Sequence, residues 1–248
     1  MSLTRLHIES PLSANSELDL DEIAARYVGR ALRLAPNDKL TLFDGRGGEF
    51  QATIVAMSKS KVTVAIGEHS DRTVESPLAI HLLQGISRGE RMDFVMQKAT
   101  ELGVQRITPL ISDYTVVKLD AKRAEKRRQH WRGIVASACE QSGRNSLPDV
   151  SSPQPLRSWL GENVDTGGTR LILKPGSDGS LRFVGEEDQP MILLIGPEGG
   201  FSDNEYELAE ATGFREIGFG KRVLRTETAA MAAVASLQTL YGDLAPGR

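Results

Sequence analysis

The sequence has little cysteine, few aromatic residues and no long apolar run. Its one cysteine, Cys139, excludes an internal disulfide and a cysteine-rich metal site, and its helical context predicts a small core residue. The four histidines are scattered without ligand spacing, so metal catalysis is not suggested. No run reaches the roughly 18 apolar residues of a membrane span, and the N-terminus lacks the apolar segment of a signal peptide. We therefore expect a cytoplasmic protein.

The composition is that of a globular protein, with 40% apolar and 25% charged residues among 248. The net charge of -3 gives no support for a nucleic-acid partner, but the charge is unevenly distributed. Residues 118–132 hold seven Lys or Arg against two acids, whereas residues 181–216 hold nine acids against two arginines. Such polarity can steer an anionic partner to one face, although a solvated helix face with ion pairs four residues apart would look the same.

The first 72 residues are predicted to form a small β-rich domain. Four stretches show strand-like apolar patterning, namely "RLHIE", "KLTLFDG", "EFQATIVAM" and "KVTVAIGEH". After the first of them, Asp21 precedes one amphipathic helical stretch, "EIAARYVGRALRL", which residues 35–38 close. The polar residues 70–77 end in proline and form the predicted linker. We accordingly expect one domain at residues 1–72 and a second at 73–248.

Strands and helices alternate in the second domain. The predicted strands are "LAIHLLQG", "RITPLIS", "TRLILKP", "MILLIGP" and "EIGFG", and helices are predicted at residues 88–102, 121–141, 203–212 and 226–240. Continuously apolar strands that alternate with helices indicate an α/β domain with a mostly parallel sheet.

Three segments leave a strand through glycine or proline: "LKPGSDG", "GPEGG" and "GFGKRVLRTET". In an open α/β sheet, ligands bind beyond the carboxyl ends of the strands, so these loops form the predicted pocket. "GPEGG" lacks the lysine of a phosphate-binding P-loop, and Glu198 would repel a pyrophosphate. Backbone groups beside a carboxylate suit a neutral base and ribose or a cationic ligand, and S-adenosylmethionine, with its sulfonium, fits this description.

Local structural roles compete with functional ones at several of these residues. Ser202 and Glu205 have the spacing of a capping box, with Phe201 and Tyr206 at the staple positions. Thr226 is a plausible N-cap of the last helix, with Glu227 favourably placed in its first turn. Gly199 and Gly200 are suited to a tight turn.

Six motifs, which together extend over nearly the whole chain, closely resemble the bacterial 16S ribosomal RNA (uracil-N3)-methyltransferase family of the SPOUT class. They are "RALRLAPNDKLTLFDGRG", "QKATELGVQRITPLIS", "VVKLD", "CEQSGRN", "LLIGPEGGFSDNE" and "EIGFGKRVLRTETAAMAA". The resemblance implies an N-terminal PUA-like RNA-binding β-barrel and a C-terminal SPOUT α/β domain with a trefoil knot. It also implies a homodimer, S-adenosylmethionine as cofactor, and 16S ribosomal RNA of the small subunit as partner.

Carried over residue by residue, the resemblance places the cofactor loops at three strand ends. The expected cofactor-binding residues are Leu173, Lys174, Pro175, Gly196, Pro197, Glu198, Gly199, Gly200, Gly218, Phe219, Gly220, Val223, Leu224 and Arg225. The expected RNA-binding residues are Arg5, Arg30, Arg33, Lys122, Arg123 and Arg127. Because aromatic residues are only 5% of the chain, we expect phosphate contacts to dominate RNA binding and to make it salt-sensitive.

Methylation of uridine N3 requires an aligned nucleophile, removal of the imide proton and stabilisation of charge on the flanking carbonyl oxygens. We predict Arg225 as the charge-stabilising donor and Arg144 as a second candidate that contacts the target base or a phosphate. Glu198 and Glu227 are the two candidates for the base. Two alternatives stay open: ribose 2'-O-methylation of transfer or ribosomal RNA, and a non-catalytic RNA-binding factor in ribosome assembly.

Overall fold

The computed structural model describes residues 4–58, 61–117, 120–164, 167–181 and 189–245, and these form two compact units. The first unit consists of described residues up to 75 together with residues 139–147, and the second contains the other described residues. Some charges noted in the sequence lie outside the described residues: Lys118 of the basic stretch, and Arg182, Glu186, Glu187 and Asp188 of the acidic stretch. The boundary expected after residue 72 stays a prediction of where an independently folding domain ends.

The described part of the first unit contains one mixed sheet of five strands, in the order β1-β3-β4-β5-β2. The strands are β1 Arg5–His7, β2 Ser16–Asp19, β3 Lys39–Phe43, β4 Glu49–Met57 and β5 Val62–Ser70. Strands β1 and β3 are parallel, and the other neighbours are antiparallel. Four of these strands were predicted, but β2 was not, because its short sequence "SELD" has no apolar alternation that stands out.

The predicted amphipathic helix of the first unit is shorter than its pattern. Helix α1 spans Glu22–Arg26, with Asp21 accepting a hydrogen bond from the Ala24 N–H as N-cap, and a π-helical turn Tyr27–Ala31 follows. The buried core of this unit contains apolar side chains from α1, the π-helical turn and strands β1, β3, β4 and β5, and Leu18 of β2 packs against it partly buried. Its buried members larger than alanine are Leu6, Ile8, Leu20, Val28, Leu40, Leu42, Phe50, Ile54, Val62, Val64 and Ile66.

The second unit contains a parallel sheet, in the order β12-β10-β11-β6-β7-β8, with β9 also pairing with β7. The strands are β6 Ile80–Gly85, β7 Arg106–Ile111, β8 Asp149–Val150, β9 Gln154–Pro155, β10 Thr169–Leu173, β11 Met191–Ile195 and β12 Arg215–Ile217. Every pairing in this sheet is parallel, which confirms the predicted sheet type. The α/β fold class is therefore confirmed, whereas the trefoil knot stays a prediction.

Five further helices accompany this sheet in the described residues. They are α2 Glu90–Glu101, α3 Ala121–Ser142, α4 Leu156–Glu162, α5 Asp203–Ala211 and α6 Thr226–Tyr241. Helix α2 contacts α6, and α4 contacts α5. Met92, Val95, Met96 and Ala99, which recur at helical spacing along α2, are buried. No helix of the described residues combines the length and the apolarity that a membrane span requires.

Candidate active site

A cavity of about 360 Å³ lies at the carboxyl ends of β10 and β11 and beside the loop that follows β12. The predicted pocket at these strand ends therefore exists in the structure. Its lining residues are Arg91, Leu173, Lys174, Pro175, Ile195, Gly196, Pro197, Glu198, Gly200, Tyr206, Phe219, Gly220, Arg222, Val223, Leu224, Arg225, Thr226 and Ala229.

Twelve of the fourteen expected cofactor residues line this cavity, and Gly199 and Gly218 do not. A Cβ atom on Gly199 would lie 2.9 Å from Cβ of Tyr114, so this glycine packs against the segment after β7. Six lining residues were not among those expected: Arg91, Ile195, Tyr206, Arg222, Thr226 and Ala229. Arg91 was missed because it lies in α2, far from the three loops along the chain, whereas the other five lie in the loops or directly beside them.

The glycine loop after β11 is compact. Gly200 has φ +70°, and its N–H donates to the carbonyl of Pro197 at 2.9 Å, which is the tight turn that the sequence predicts. A Cβ atom on Gly196 would lie 3.0 Å from Cα of Gly200, and one on Gly85, at the end of β6, would lie 2.4 Å from Pro197. Glycine is therefore required where this loop folds back on itself and packs against the neighbouring strand.

The loops after β10 and β12 touch each other through their backbones. The N–H of Gly218 donates to the carbonyl of Gly179 at 3.0 Å. A Cβ atom on Gly218 would lie 1.9 Å from the carbonyl oxygen of Ser177, and one on Gly179 would lie 2.0 Å from that of Glu216. Gly218 thus supports the cavity by joining two of its loops, although it does not line the cavity itself.

The carboxylate of Glu198 is firmly paired. Its Oε1 accepts hydrogen bonds from the Arg88 N–H at 3.0 Å and from Nη1 of Arg91 at 2.7 Å. Burial alone would raise the pKa of Glu198, but these hydrogen bonds and the Arg91 charge outweigh it and hold the pKa below its usual value. A paired carboxylate with a lowered pKa is a weak proton acceptor, which disfavours Glu198 as the general base.

Glu227, the other carboxylate considered as a base, does not line the cavity. Its Oε1 lies 3.9 Å from Nε of Arg91, and its Oε2 is buried with no hydrogen-bond partner in the part of the chain that the structure describes. Arg91 therefore lies between two carboxylates, and Oε2 of Glu227 can accept a further hydrogen bond.

The cations that line the cavity fall into two groups. Lys174 forms an ion pair of 2.6 Å with Glu216 and lies 4.8 Å from the centre of the Tyr206 ring. By contrast, Arg222 and Arg225 are exposed, and neither forms an ion pair with any described residue. These two guanidinium groups are thus available to an anionic or carbonyl-bearing ligand.

The capping prediction holds for α5 and fails for α6. Ser202 and Glu205 form the predicted reciprocal capping box, and the rings of Phe201 and Tyr206 meet edge to face at 5.7 Å. Thr226, in contrast, is the first residue of α6 rather than its N-cap, and the N-cap position belongs to Arg225, whose side chain caps nothing. The Thr226 hydroxyl donates instead to the Gly196 carbonyl at 2.6 Å.

Comparison with known proteins agrees with this geometry. Residues 74–238 match the RNA methyltransferase domain family, and residues 20–67 match the RNA methyltransferase PUA domain family. The chain is 36% identical to ribosomal RNA small subunit methyltransferase E of Buchnera aphidicola subsp. Schizaphis graminum, over 98% of each chain. The chain belongs to the ribosomal RNA small subunit methyltransferase E family. The matched methyltransferase domain contains every residue that lines the cavity.

Two solved structures are similar to the chain over nearly its whole length. A putative methyltransferase from Legionella pneumophila, in complex with the bound cofactor SAM, has a TM-score of 0.94 and 40% identity and covers 98% of this chain and 100% of its own. The small subunit methyltransferase E of Neisseria gonorrhoeae, bound to S-adenosyl methionine, has a TM-score of 0.90 and 38% identity with the same coverage. The first unit contains the residues that match the PUA domain family.

Two arginines predicted to act on the RNA have structural partners in the first unit. Arg144 is only 3% exposed, and its Nε and Nη2 each lie 2.7 Å from Oε2 of Glu75. Arg5 forms an ion pair of 2.5 Å with Glu49 and hydrogen-bonds to Asn145. Both side chains therefore hold residues 139–147 on the first unit, which argues against the free base or phosphate contacts expected of them.

The remaining predicted RNA contacts are accessible. Arg30, Arg33 and Lys122 are exposed and make no ion pair within the described ranges, and Arg127 is half-buried. Arg123 is exposed, and its Nε lies 3.5 Å from Oδ2 of Asp120, the residue before its helix.

Cys139 is buried as expected, and burial raises the pKa of its thiol to about 12, so it acts as a core residue.

Proposed function

We propose that this chain transfers a methyl group from S-adenosylmethionine to N3 of a uridine in 16S ribosomal RNA. The observation that carries the proposal is the cavity at the three strand-end loops, which lies inside the matched methyltransferase domain. Two similar structures have this cofactor bound. The cavity volume of about 360 Å³ is in the range of small-molecule sites.

The residues of the cavity fit this cofactor better than a nucleoside polyphosphate. Leu173, Pro175, Ile195, Val223 and Leu224 offer apolar contacts to an adenine ring, and the glycine loop offers backbone groups without side chains. Lys174, the lysine that lines the cavity, forms an ion pair with Glu216, so it is not free to bind phosphate as the lysine of a P-loop does. When bound, the cofactor supplies an electrophilic methyl group on a positively charged sulfur.

In this proposal Arg225 stabilises the charge that develops on the uracil when N3 loses its proton. The uridine N3 anion is delocalised onto O2 and O4, so a guanidinium donor aimed at either oxygen lowers the barrier. Arg225 suits this role because it lines the cavity, is exposed and has no ion-pair partner among the described residues. Arg222 lines the same cavity and is available for a neighbouring phosphate.

We assign removal of the N3 proton to Glu227 rather than to Glu198. Both oxygens of a general base need not be free, but one must be able to accept the proton. Hydrogen bonds from Arg88 and Arg91 help to lower the pKa of Glu198 and make it the weaker proton acceptor, whereas Oε2 of Glu227 has no partner among the described residues. Arg91, between the two carboxylates, then keeps Glu198 in place as part of the loop.

The RNA partner is the 16S ribosomal RNA of the small subunit, and Arg30, Arg33, Lys122, Arg123 and Arg127 are its proposed phosphate contacts. Contacts of this kind supply affinity without reading sequence, so the target uridine is selected by RNA shape and by its extrusion into the cavity. We further propose that the active form is a homodimer and that the protein works in the cytoplasm, where its RNA partner is assembled.

The test is a transfer assay with radiolabelled S-adenosylmethionine. The protein is incubated with small ribosomal subunits that lack the modification and, separately, with naked 16S ribosomal RNA. Label in the RNA of either substrate supports the proposal and identifies which form is used. Absence of label from both substrates, with cofactor binding intact, would favour the RNA-binding factor instead.

A further inference from the structure

A buried threonine hydroxyl joins three elements beneath the cavity. Thr226, at the start of α6, donates to the carbonyl of Gly196 at 2.6 Å, and Nε2 of Gln84, near the end of β6, lies 2.9 Å from the same hydroxyl oxygen. Gln84 is fully buried and Thr226 is 6% exposed. The hydroxyl therefore connects the end of one strand, the first residue of the glycine loop and the last helix.

The donor and acceptor of each hydrogen bond between Gln84, Thr226 and Gly196 follow from the chemistry of the groups. The Gly196 carbonyl can only accept, so it takes the single proton of the Thr226 hydroxyl. The hydroxyl oxygen must then accept from the amide nitrogen of Gln84, which also donates to the carbonyl of Gly85 at 3.1 Å. This orientation leaves Oε1 of Gln84 buried without a hydrogen-bond partner among the described residues. The amide of Gln84 is thus oriented so that its Nε2 donates to Thr226, while its Oε1 stays unpaired among the described residues.

The glycine loop has few other means of holding its first residue. Gly196, Gly199 and Gly200 have no side chains, and the pairing of Glu198 with Arg88 and Arg91 holds only the middle of the loop. The Gly200–Pro197 hydrogen bond is internal to the loop and does not fix it to the rest of the domain. Thr226 and Gly196 both line the cavity, so a shift of this carbonyl would change its wall.

Thr226 is not needed as a helix cap, since Arg225 has the N-cap position. We propose that Thr226 is a positioning residue for the cofactor: its hydroxyl, oriented by Gln84, holds the Gly196 carbonyl and so sets the glycine loop in the shape that binds S-adenosylmethionine. This inference rests on the proposed function, because it takes the cavity to be the cofactor site.

The experiment measures cofactor affinity by isothermal titration calorimetry without RNA, so that turnover does not enter. Thr226→Val keeps the shape of the side chain but removes the hydroxyl, and it should raise the Kd for S-adenosylmethionine about tenfold or more, as expected when buried polar groups lose their partner. Thr226→Ser keeps the hydroxyl and should bind within about threefold of the wild type. Gln84→Met removes the donor that orients the hydroxyl and should give an intermediate Kd.

Thr100→Val is the matched control. Thr100 is also buried, and its hydroxyl donates to the Met96 carbonyl at 2.8 Å, but it does not line the cavity. This variant should lose thermal stability to a similar extent as Thr226→Val while keeping the wild-type Kd. The KM for RNA should be unchanged in all four variants, because the proposed effect is confined to cofactor binding.

The outcomes separate this inference from the function on which it rests. A selective loss of affinity in Thr226→Val that Ser restores supports the positioning role. Wild-type affinity in Thr226→Val, or equal loss in Thr226→Ser and Thr226→Val, overturns it while the proposed function stands. If the wild-type protein itself binds no S-adenosylmethionine, both fall. Should the valine variant not fold, the Ser and Met variants decide, since a wild-type Kd for Gln84→Met contradicts the role of Gln84.

Discussion

Nη1 of Arg91 lies 2.7 Å from Oε1 of Glu198, joining two residues 107 positions apart at the wall of the cavity. This ion pair determines whether the carboxylate of Glu198 is free for chemistry or has a structural role. A free glutamate in a glycine loop would be available for acid-base chemistry or for a cationic ligand. A glutamate held by a guanidinium and a backbone N–H is instead a structural part of the loop, and its negative charge is largely compensated.

Glu198→Gln should therefore reduce stability only where the carboxylate is ionised. Because pairing lowers the pKa of Glu198 in the folded state, its contribution is present above the ordinary pKa of 4.5 and is lost as pH falls through the lower, folded-state value. At neutral pH we expect a deficit of about 1 kcal/mol or less, as for other partly exposed ion pairs. Urea unfolding across this pH range measures it.

Glu207→Gln is the control for this prediction, because Glu207 is exposed in the nearby helix α5 and pairs with no described residue. It should unfold like the wild type at each pH. A deficit for Glu198→Gln that persists undiminished in acid would show that the amide disturbs the loop for reasons other than charge.

Arg144→Ala should act on folding rather than on chemistry. The change leaves Glu75 without its buried partner, and breaking a buried ion pair typically costs about 3 kcal/mol or more. A double-mutant cycle with Glu75→Gln, followed by denaturant unfolding, measures the coupling. If Arg144→Ala is as stable as the wild type but transfers no methyl group, the original assignment of Arg144 to the target base is restored.

Arg225 lines the cavity as the sequence predicted, whereas Arg144 is buried against Glu75. The difference shows that the sequence predicts features that depend on neighbouring residues better than those that depend on distant ones. The strand-end loops can be recognised from contiguous sequence, because an apolar strand that ends at glycine or proline predicts both the strand and the loop after it. This pattern predicted β10, β11, the pocket and most of its lining residues. Strand β4 was predicted with its observed bounds because its nine-residue apolar pattern is long. Helix α4 was missed because its seven residues lie in a stretch rich in Pro, Ser and Gly.

The remaining errors concern partners that are distant along the chain. The residues beside Arg144 and Arg5 in the sequence do not indicate that these side chains form ion pairs with Glu75 and Glu49. Likewise, Thr226 fits the cap preference of a helix start, and only the folded chain brings the Gly196 carbonyl within reach of its hydroxyl. Residue type and spacing therefore located the site, whereas tertiary contacts decided which charged or polar side chains are free to act in it.

Arg225→Ala should lower the rate of methyl transfer far more than it weakens cofactor binding. Loss of one donor to a developing anion typically costs about 10²- to 10³-fold in kcat. Lys221→Ala is the control, since Lys221 is exposed on the same loop but does not line the cavity. Single-turnover rates with saturating RNA make the measurement. Equal rates for Arg225→Ala and the wild type would remove Arg225 from the chemistry.

Glu227→Gln should change the pH profile of the reaction. Without a general base, transfer depends on uridine that has already lost its N3 proton, so the rate of Glu227→Gln should rise about tenfold with each pH unit through the neutral range. The wild-type rate should depend much less on pH there, and Glu198→Gln should keep the wild-type profile. A wild-type profile in Glu227→Gln together with a steep profile in Glu198→Gln would reverse the assignment of the base.

Gly218→Ala should change the shape of the cavity although Gly218 does not line it. A methyl group at this position would lie 1.9 Å from the Ser177 carbonyl, so the loops after β10 and β12 must separate. We expect weaker cofactor binding and a lower melting temperature. Gly161→Ala, in α4 with no atom within 4 Å of the added methyl group, should be neutral or slightly stabilising. Calorimetry and thermal unfolding of the two variants test the contrast.

The most direct test of the central claim identifies the methylated atom. RNA from the transfer assay is mapped by reverse-transcriptase stops and digested for nucleoside mass spectrometry. We expect N3-methyluridine and one new stop at a uridine, because a methyl group at N3 blocks the Watson–Crick edge. A ribose-methylated nucleoside without such a stop would contradict it and establish the 2'-O-methyltransferase alternative.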